Sequence, residues 1–465
     1  MDPITKSTVN FILKLLMKLL IIIPVALFSL VRYIWMRSRI RKLHGECQEW
    51  NIQQRNIKVV DGFSSELPML KGETQLIQSS QAAVKQALLP SPQVGATIST
   101  LSGTIVTGGK KDSRNKAVGA LVATATKQNM ATIVLHTNNY ELTEMLLSSS
   151  FAHKTHVVGK DYNPFIGRTS SEIGRILFEA IPERYGVKHA ARELIYVACE
   201  IIFAQGKVPN PANLAATPLL DLDRIINKAV AKGYINPQDG DHLIRRYHSA
   251  EIEIRQLQNF CEDLGVQLRR MGDDSGNNCN LTSAINNGDI IAINIGSNTN
   301  DLAINLAVSG IRQLLDLDYA FNIILDDIDL AKYKQLQELT LHNRPGFVLS
   351  HDDLFASVGG DEKLFTTVVG AVSKVAIFPL SSGLTCSQWS KYFGEYERRE
   401  LKKSFNRGTQ GMLGMTSSEG SQVETRREAR VPPEALAQLR GTQVCLYDGN
   451  SSDIMFADIF QEVVQ

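Results

Sequence analysis

The chain has 465 residues, of which 43% are hydrophobic and 21% charged, and its formal net charge is +1. That length exceeds one ordinary core and calls for two or three domains, and the composition excludes a disordered chain. Near neutrality gives no global attraction to nucleic acid, so any such contact falls to a local patch or channel. The six cysteines include no C-x-x-C pair, which argues against a zinc ribbon or a disulfide framework. Buried thiols in a reducing compartment fit better.

From Leu19 to Met36 the chain is almost wholly apolar. Eighteen helical residues span about 27 Å, close to the hydrocarbon thickness of a bilayer. Lys14 and Lys18 precede the run and can snorkel, Pro24 is tolerable inside a lipid-embedded helix, and Tyr33 and Trp35 suit an interfacial belt. Arg37, Arg39, Arg41 and Lys42 follow at once. This basic flank places the rest of the chain in the cytoplasm. A cleaved signal peptide would have a shorter apolar core and small residues at a cleavage site. A buried helix of a soluble protein would not carry so much flanking positive charge. A single membrane anchor is therefore expected.

Residues 44–100 read as a linker and lead-in, with Pro68, Pro90 and Pro92 among Ser and Gln clusters. A β-branched run, Thr104–Thr107, then ends in Gly108 and Gly109, and a polar loop follows to Asn115. Residues 116–128 have helical spacing, and residues 131–136 form a second β-branched run. Strand, glycine loop, helix and strand make a βαβ unit, which implies a parallel sheet and an α/β fold. Between about Ser170 and Met271 the apolar residues recur at three and four, with helices expected at 221–232 and 239–270. This is read as an all-α block inserted into the α/β domain. Strands resume at 288–295, 319–327, 346–349, 375–378 and 442–447, with helices at 299–316 and 360–370. The segment 405–424, rich in Gly, Ser, Thr, Gln and Met, is expected to be a mobile loop. The domain division that follows is anchor 1–43, linker 44–100, nucleotide-binding-type domain 101–169 and 276–465, and all-α insert 170–275.

A P-loop, G-x-x-x-x-G-K-[ST], lies between a strand and a helix, cradles phosphate with backbone N–H groups and reaches it with a lysine. The matching octet begins at Gly108 and runs through Gly109 and Asp112. Ser113 stands for the second glycine, Arg114 for the lysine and Asn115 for the hydroxyl residue. Serine resists the unusual dihedrals of the wrap, a guanidinium is not interchangeable with an ammonium, and an amide oxygen is a weaker Mg²⁺ ligand. Asp112 adds negative charge where phosphate would lie. The apolar run ending in Asp326 and Asp327 has the Walker-B pattern, with Asp326 as the metal-side acid and Asp327 in the place of a catalytic acid. The competing reading is a strand followed by a helix-capping turn. Arg269–Arg270 and Arg398–Arg399 read as solvated helix faces, and His153 and His156 lack partners at metal-ligand spacing.

The order of these elements resembles the type IV secretion coupling proteins, the TraG/TraD class of conjugative DNA-transfer ATPases. Residues 161–165 resemble the family's "NPF" turn, and 190–194 resemble the start of its all-α domain. Residues 326–346 resemble its stretch after Walker B, and 393–399 and 429–439 resemble its C-terminal segments. The resemblance covers roughly residues 100 to 450. It implies a RecA-like P-loop NTPase-type domain with a mainly parallel sheet, an inserted all-α domain and an N-terminal membrane helix. It further implies an oligomeric ring beneath a secretion pore at the bacterial inner membrane, ATP and Mg²⁺ as cofactors, secretion-channel subunits as partners, and DNA or a relaxase-type protein as substrate. Arg344 would then act across a subunit boundary. The chain departs from the pattern in having one anchor where the family has two. Its loop reads Ser-Arg-Asn for Gly-Lys-Thr, and Ser350–His351 replaces a glutamine.

Three motor parts altered together favour a coupling or scaffold subunit with weak or lost ATP hydrolysis, because phosphoryl transfer depends almost wholly on positioning and charge stabilisation. The alternatives are an active DNA or protein translocation motor with an atypical loop, and a membrane-tethered adaptor that reuses the fold.

Overall fold

The computed structural model describes residues 3–60, 63, 75–77, 103–127, 129–148, 155–157, 165–187, 191–249, 254–267, 281–295, 301–341, 346–409 and 415–458. Contacts divide the chain into two units. One comprises Met1–Lys58, Glu66–Leu76 and Phe393–Val431, and the other Val59–Ser65, Ile77–Tyr392 and Pro432–Gln465.

The first unit is built on one helix, α1 (Pro3–Arg55), which is 53 residues long and contains Pro24. Its apolar stretch is turned outward, with Leu20 71% and Phe28 70% exposed. It is the one helix among the described residues that is long and apolar enough to cross a membrane. The helix does not end at the basic run, as the expected linker at residue 44 would require. It continues because Cys47, Asn51 and Arg55, spaced at four, lay one buried stripe against a long hairpin.

That hairpin, Glu395–Thr409 paired antiparallel with Met415–Ala429, corrects the expectation of a mobile loop over 405–424. Fifteen residues per strand reach about 50 Å at ~3.4 Å per residue. Composition misleads there because a two-stranded ribbon satisfies its backbone by cross-strand bonds without the alternating apolar face of a packed sheet. Asn51 Nδ2 donates to the Arg399 carbonyl at 3.1 Å and Asn51 Oδ1 accepts from the Arg399 N–H at 2.8 Å. Arg55 Nε donates to the Arg430 carbonyl and Arg430 Nε to the Arg55 carbonyl. The Arg399 guanidinium lies 3.7 Å from the centre of the Trp50 ring. Arg398 and Arg399 therefore belong to a strand, and Arg399 is held by helix α1; the solvated helix face expected for them does not exist.

The second unit carries the sheet. Its strands are β1 (Thr104–Thr107), β2 (Thr132–His136), β3 (Thr155–Val157), β4 (Ile290–Asn294), β5 (Asn322–Asp326), β6 (Phe347–His351), β7 (Lys374–Ile377), β8 (Gln443–Asp448) and β9 (Asp453–Asp458). They lie in the order β9-β8-β7-β1-β6-β5-β2-β4-β3. The seven from β7 to β3 are parallel, and β8 pairs antiparallel with both β7 and β9. The runs Ile-Ile-Ala-Ile, Ile-Ile-Leu and Phe-Val-Leu are apolar throughout because both faces of a parallel sheet are covered. Helices α2 (Lys111–Lys127) and α3 (Tyr140–Ser148) cross over between β1, β2 and the strands beyond.

Between Phe165 and Gln267 the described residues form helices and short 3-10 turns alone. Within the stretch expected to be helical over 239–270 the described residues form the helices Pro237–Ser249 and Ile254–Gln267. Thr169 and Glu172 form a capping box at the start of the block. Its core (Ile173, Leu194, Val197, Leu222, Phe260 and neighbours) joins Leu302 and Leu306 of the helix Asp301–Asp316. Arg246 bridges Glu193 and Glu200 inside the block at 2.7 and 2.9 Å.

Candidate functional site

In a parallel sheet, sites form at the carboxyl ends of strands where the winding changes direction. Here β1 lies between β6 and β7, so the chain passes from one side of β1 to the other. The C-terminal ends of β1, β6, β5 and β2 converge there, with His136 level with Asp326 and Asp326 level with Ser350.

The glycine loop is shorter than its sequence octet suggests. Helix α2 begins at Lys111, so only Gly108, Gly109 and Lys110 lie between strand and helix. Gly108 and Gly109 take φ of +81° and +68°, and a Cβ on either would fall 2.5 Å from the Phe378 carbonyl oxygen or 2.7 Å from Phe378 Cβ. Glycine is required at both by a turn packed on Phe378–Pro379. The Gly108 N–H donates to the His351 carbonyl and the Gly109 N–H to the Pro379 carbonyl. Ser113 and Arg114 donate theirs to Lys110 as the first turn of α2. Those four N–H groups are satisfied within the protein.

The side chains expected to bind a cofactor have other partners. Asp112 points outward and pairs with Lys116 at 2.9 Å, corresponding to an acid in the first turn of a helix. Ser113, Arg114 and Asn115 are all buried. Arg114 Nη2 donates to Asp327 Oδ1 at 2.8 Å and to Oδ2 at 3.1 Å, and its Nη1 donates to the Gly109 carbonyl at 3.1 Å. Asn115 exchanges hydrogen bonds with Asn139, accepting at 2.8 Å and donating at 3.3 Å.

Asp326 is fully buried. Its Oδ1 accepts from Ser350 Oγ and its Oδ2 from Asn139 Nδ2, each at 2.6 Å. Ser350, standing in the position where the resemblance expects glutamine, thus holds the acid. Asp327 has φ +53°, a left-handed conformation that Asp tolerates better than most residues. Its N–H donates to the Ser350 carbonyl and its carbonyl accepts from Thr137 Oγ1. Burial and the neighbouring Asp326 push the Asp327 carboxyl above its ordinary range, while Arg114 pulls it down.

Two histidines frame the acids with opposite electrostatics. Burial, with Lys111 nearby, lowers His136 to about 4. Its Nδ1 accepts from the Asn139 N–H, which assigns the proton to Nε2, facing Thr143 Oγ1 at 2.9 Å. Burial alone would lower His351 as well. The Asp352 hydrogen bond and the charges of Asp352, Asp327 and Asp329 outweigh it and raise His351 above its ordinary value. The same contact with His351 holds Asp352 down at about 2.

A divalent cation fits this arrangement poorly. Each Asp326 oxygen already accepts a hydrogen bond, the Asn115 amide oxygen is taken, and a guanidinium supplies positive charge beside Asp327. Among the described residues no group of three or more His, Cys, Asp and Glu is placed to hold a metal. Arg344, expected to act across a subunit boundary, lies outside the described residues, as do 161–164, Arg269, Arg270 and His153. Sequence reasoning missed Asn139, the hub of the network. Its one signal was an Asn directly before a helix, where its Oδ1 does accept from the Leu142 N–H.

Neither a family model nor a curated protein matches the chain. Solved structures do. The unbound bacterial conjugative coupling protein TrwBdeltaN70 superposes with a TM-score of 0.52 at 15% identity, covering 83% of this chain and 92% of that one. The chain has the fold of a conjugative coupling protein. TrwB in complex with the GTP analogue GDPNP gives a TM-score of 0.51 at 14% identity over 83% and 93% of the two chains. Its trigonal form with sulphate gives 0.50 at 13% over the same shares. The mostly parallel sheet is thus that of the TrwB P-loop NTPase fold.

Proposed function

We propose that the chain is a membrane-anchored, coupling-protein-like component of a type IV secretion or conjugation system that no longer hydrolyses ATP. It recruits or passes DNA or a relaxase-type protein to the channel as part of a ring, at the bacterial inner membrane, with α1 as a single-pass anchor and the second unit in the cytoplasm. The observation that carries the loss of hydrolysis is the Arg114–Asp327 ion pair. It puts the protein's own cation against the Walker-B acids, where a motor needs Mg²⁺ and the γ-phosphate. The internal bonding of Gly108, Gly109, Ser113 and Arg114 supports the same reading. The outward apolar face of α1 and its basic flank support the anchor.

TrwB has been crystallised with GDPNP, so nucleotide binding belongs to this fold. The residues Asp326 and Asp327 are the acids such a motor would use, and here both are engaged by protein donors. The test is genetic complementation in the native host. Deleting the chain should abolish secretion or conjugative transfer, and the Asp326→Asn variant should restore it nearly in full. Failure of Asp326→Asn, at normal protein level, would restore the active motor as the better reading.

A further inference from the structure

The all-α block holds a cleft of about 410 Å³, within the range of pockets that take small ligands. Ile201, Ile202 and Ile225 give it an apolar wall, and Lys207, Lys228 and Lys232 stand around it. No acidic residue lines it. Among the described residues none of the three lysines is in an ion pair, although lysines elsewhere find acids, as Lys116 does with Asp112. Lys228 and Lys232 project from one helix four residues apart, and Lys207 follows the end of another. Helix dipoles favour basic residues at such ends. They do not explain why three like charges, none with an acidic partner, line a recess walled by isoleucines.

We infer that this cleft is a binding site for a small anionic amphiphile, a carboxylate or phosphate joined to a compact apolar body. The isoleucines would bury the body, and Lys207, Lys228 and Lys232 would hold the anionic end as point charges at the mouth. Tyr234, which also lines the cleft and lies beneath Lys232 at 5.8 Å, offers an aromatic flank. The site is remote in sequence from the strand-end acids and does not depend on the loss of hydrolysis.

The test uses the full chain in nanodiscs of zwitterionic lipid and follows a trifluoromethyl 2-naphthoate by fluorine NMR. Saturable binding is expected, with 2-naphthyl phosphate competing and the neutral 2-naphthamide failing to compete. Lys228→Gln/Lys232→Gln should weaken binding by about tenfold or more, and Lys228→Arg/Lys232→Arg should largely retain it. All three lysines are exposed, so these variants should fold, with unchanged circular dichroism. Binding that ignores the glutamine pair, or an amide that competes as well as the acid, would overturn the inference. So would displacement of the probe by a single-stranded oligonucleotide at lower concentration than unlabelled 2-naphthoate, which would mark a phosphate-backbone surface.

Discussion

Arg114 and Asp327 are 213 positions apart in sequence, and their side chains meet at 2.8 Å at the carboxyl end of the sheet. The contact ties the first turn of α2 to the tip of β5. Their side chains are 4% and 21% exposed, so neither charge is well solvated. Removing one partner of such a pair leaves the other buried and unpaired, which costs about 3–5 kcal/mol.

Arg114→Met should therefore lower the melting temperature of the full chain by roughly 3–4 °C, taking the lower end of that range. Asp327→Asn keeps a residue that tolerates positive φ and removes only the charge. Combined with Arg114→Met, it should recover most of the loss. Equal and additive losses in a thermal-melt double-mutant cycle would show that the pair is not coupled.

Restoring the sequence motif should not restore the site. In Ser113→Gly/Arg114→Lys/Asn115→Thr, the new lysine still sits inside α2, which begins at Lys111, and Gly108 and Gly109 still bond to His351 and Pro379. Calorimetric titration with MgATP is expected to show no binding in the micromolar range. Clear binding would mean that the side chains, and not the backbone, had closed the cradle.

The two histidines should titrate in opposite directions. His136, lowered to about 4, favours the folded state when neutral, so its contribution is full above about pH 6.5 and is lost as pH falls towards 4. His351 is raised, so its contribution is full below about pH 6.5 and fades as pH climbs through its folded value. NMR of selectively labelled histidines should show His136 neutral at pH 5 and His351 still charged at pH 6.5. The reverse order would refute the arrangement of charges around the acids.

The anchor helix and the hairpin should behave as one unit. Asn51→Ala removes both side-chain bonds to the Arg399 backbone, and Trp50→Ala removes the ring beneath its guanidinium, worth about 0.5–1 kcal/mol at a partly exposed site. The double variant should speed limited proteolysis within 395–429 by about tenfold, and leave cleavage near β5 unchanged. Unaltered proteolysis would show that the hairpin holds itself.

The strands and the central helices were legible in the sequence because parallel, doubly covered strands are apolar runs that end in glycine or acid, as at Thr104–Thr107 and Asn322–Asp326. The hairpin was not, since Gly, Ser and Thr mark loops and ribbons alike. The acids at 326 and 327 could be read from pattern. Their partners could not, because Arg114, Asn139 and Ser350 reach them from three other segments and no local spacing encodes such contacts. The octet at Gly108 also misled. Its residue types suggested a loop running to Asn115, whereas α2 begins at Lys111 and leaves only Gly108, Gly109 and Lys110 between strand and helix.

The most direct measurement is ATP turnover by the full chain in detergent or nanodiscs, with and without single- and double-stranded DNA, beside Asp326→Asn. The expected result is a rate at background for both proteins under every condition. A rate clearly above background that Asp326→Asn abolishes would contradict the loss of hydrolysis and favour an active motor.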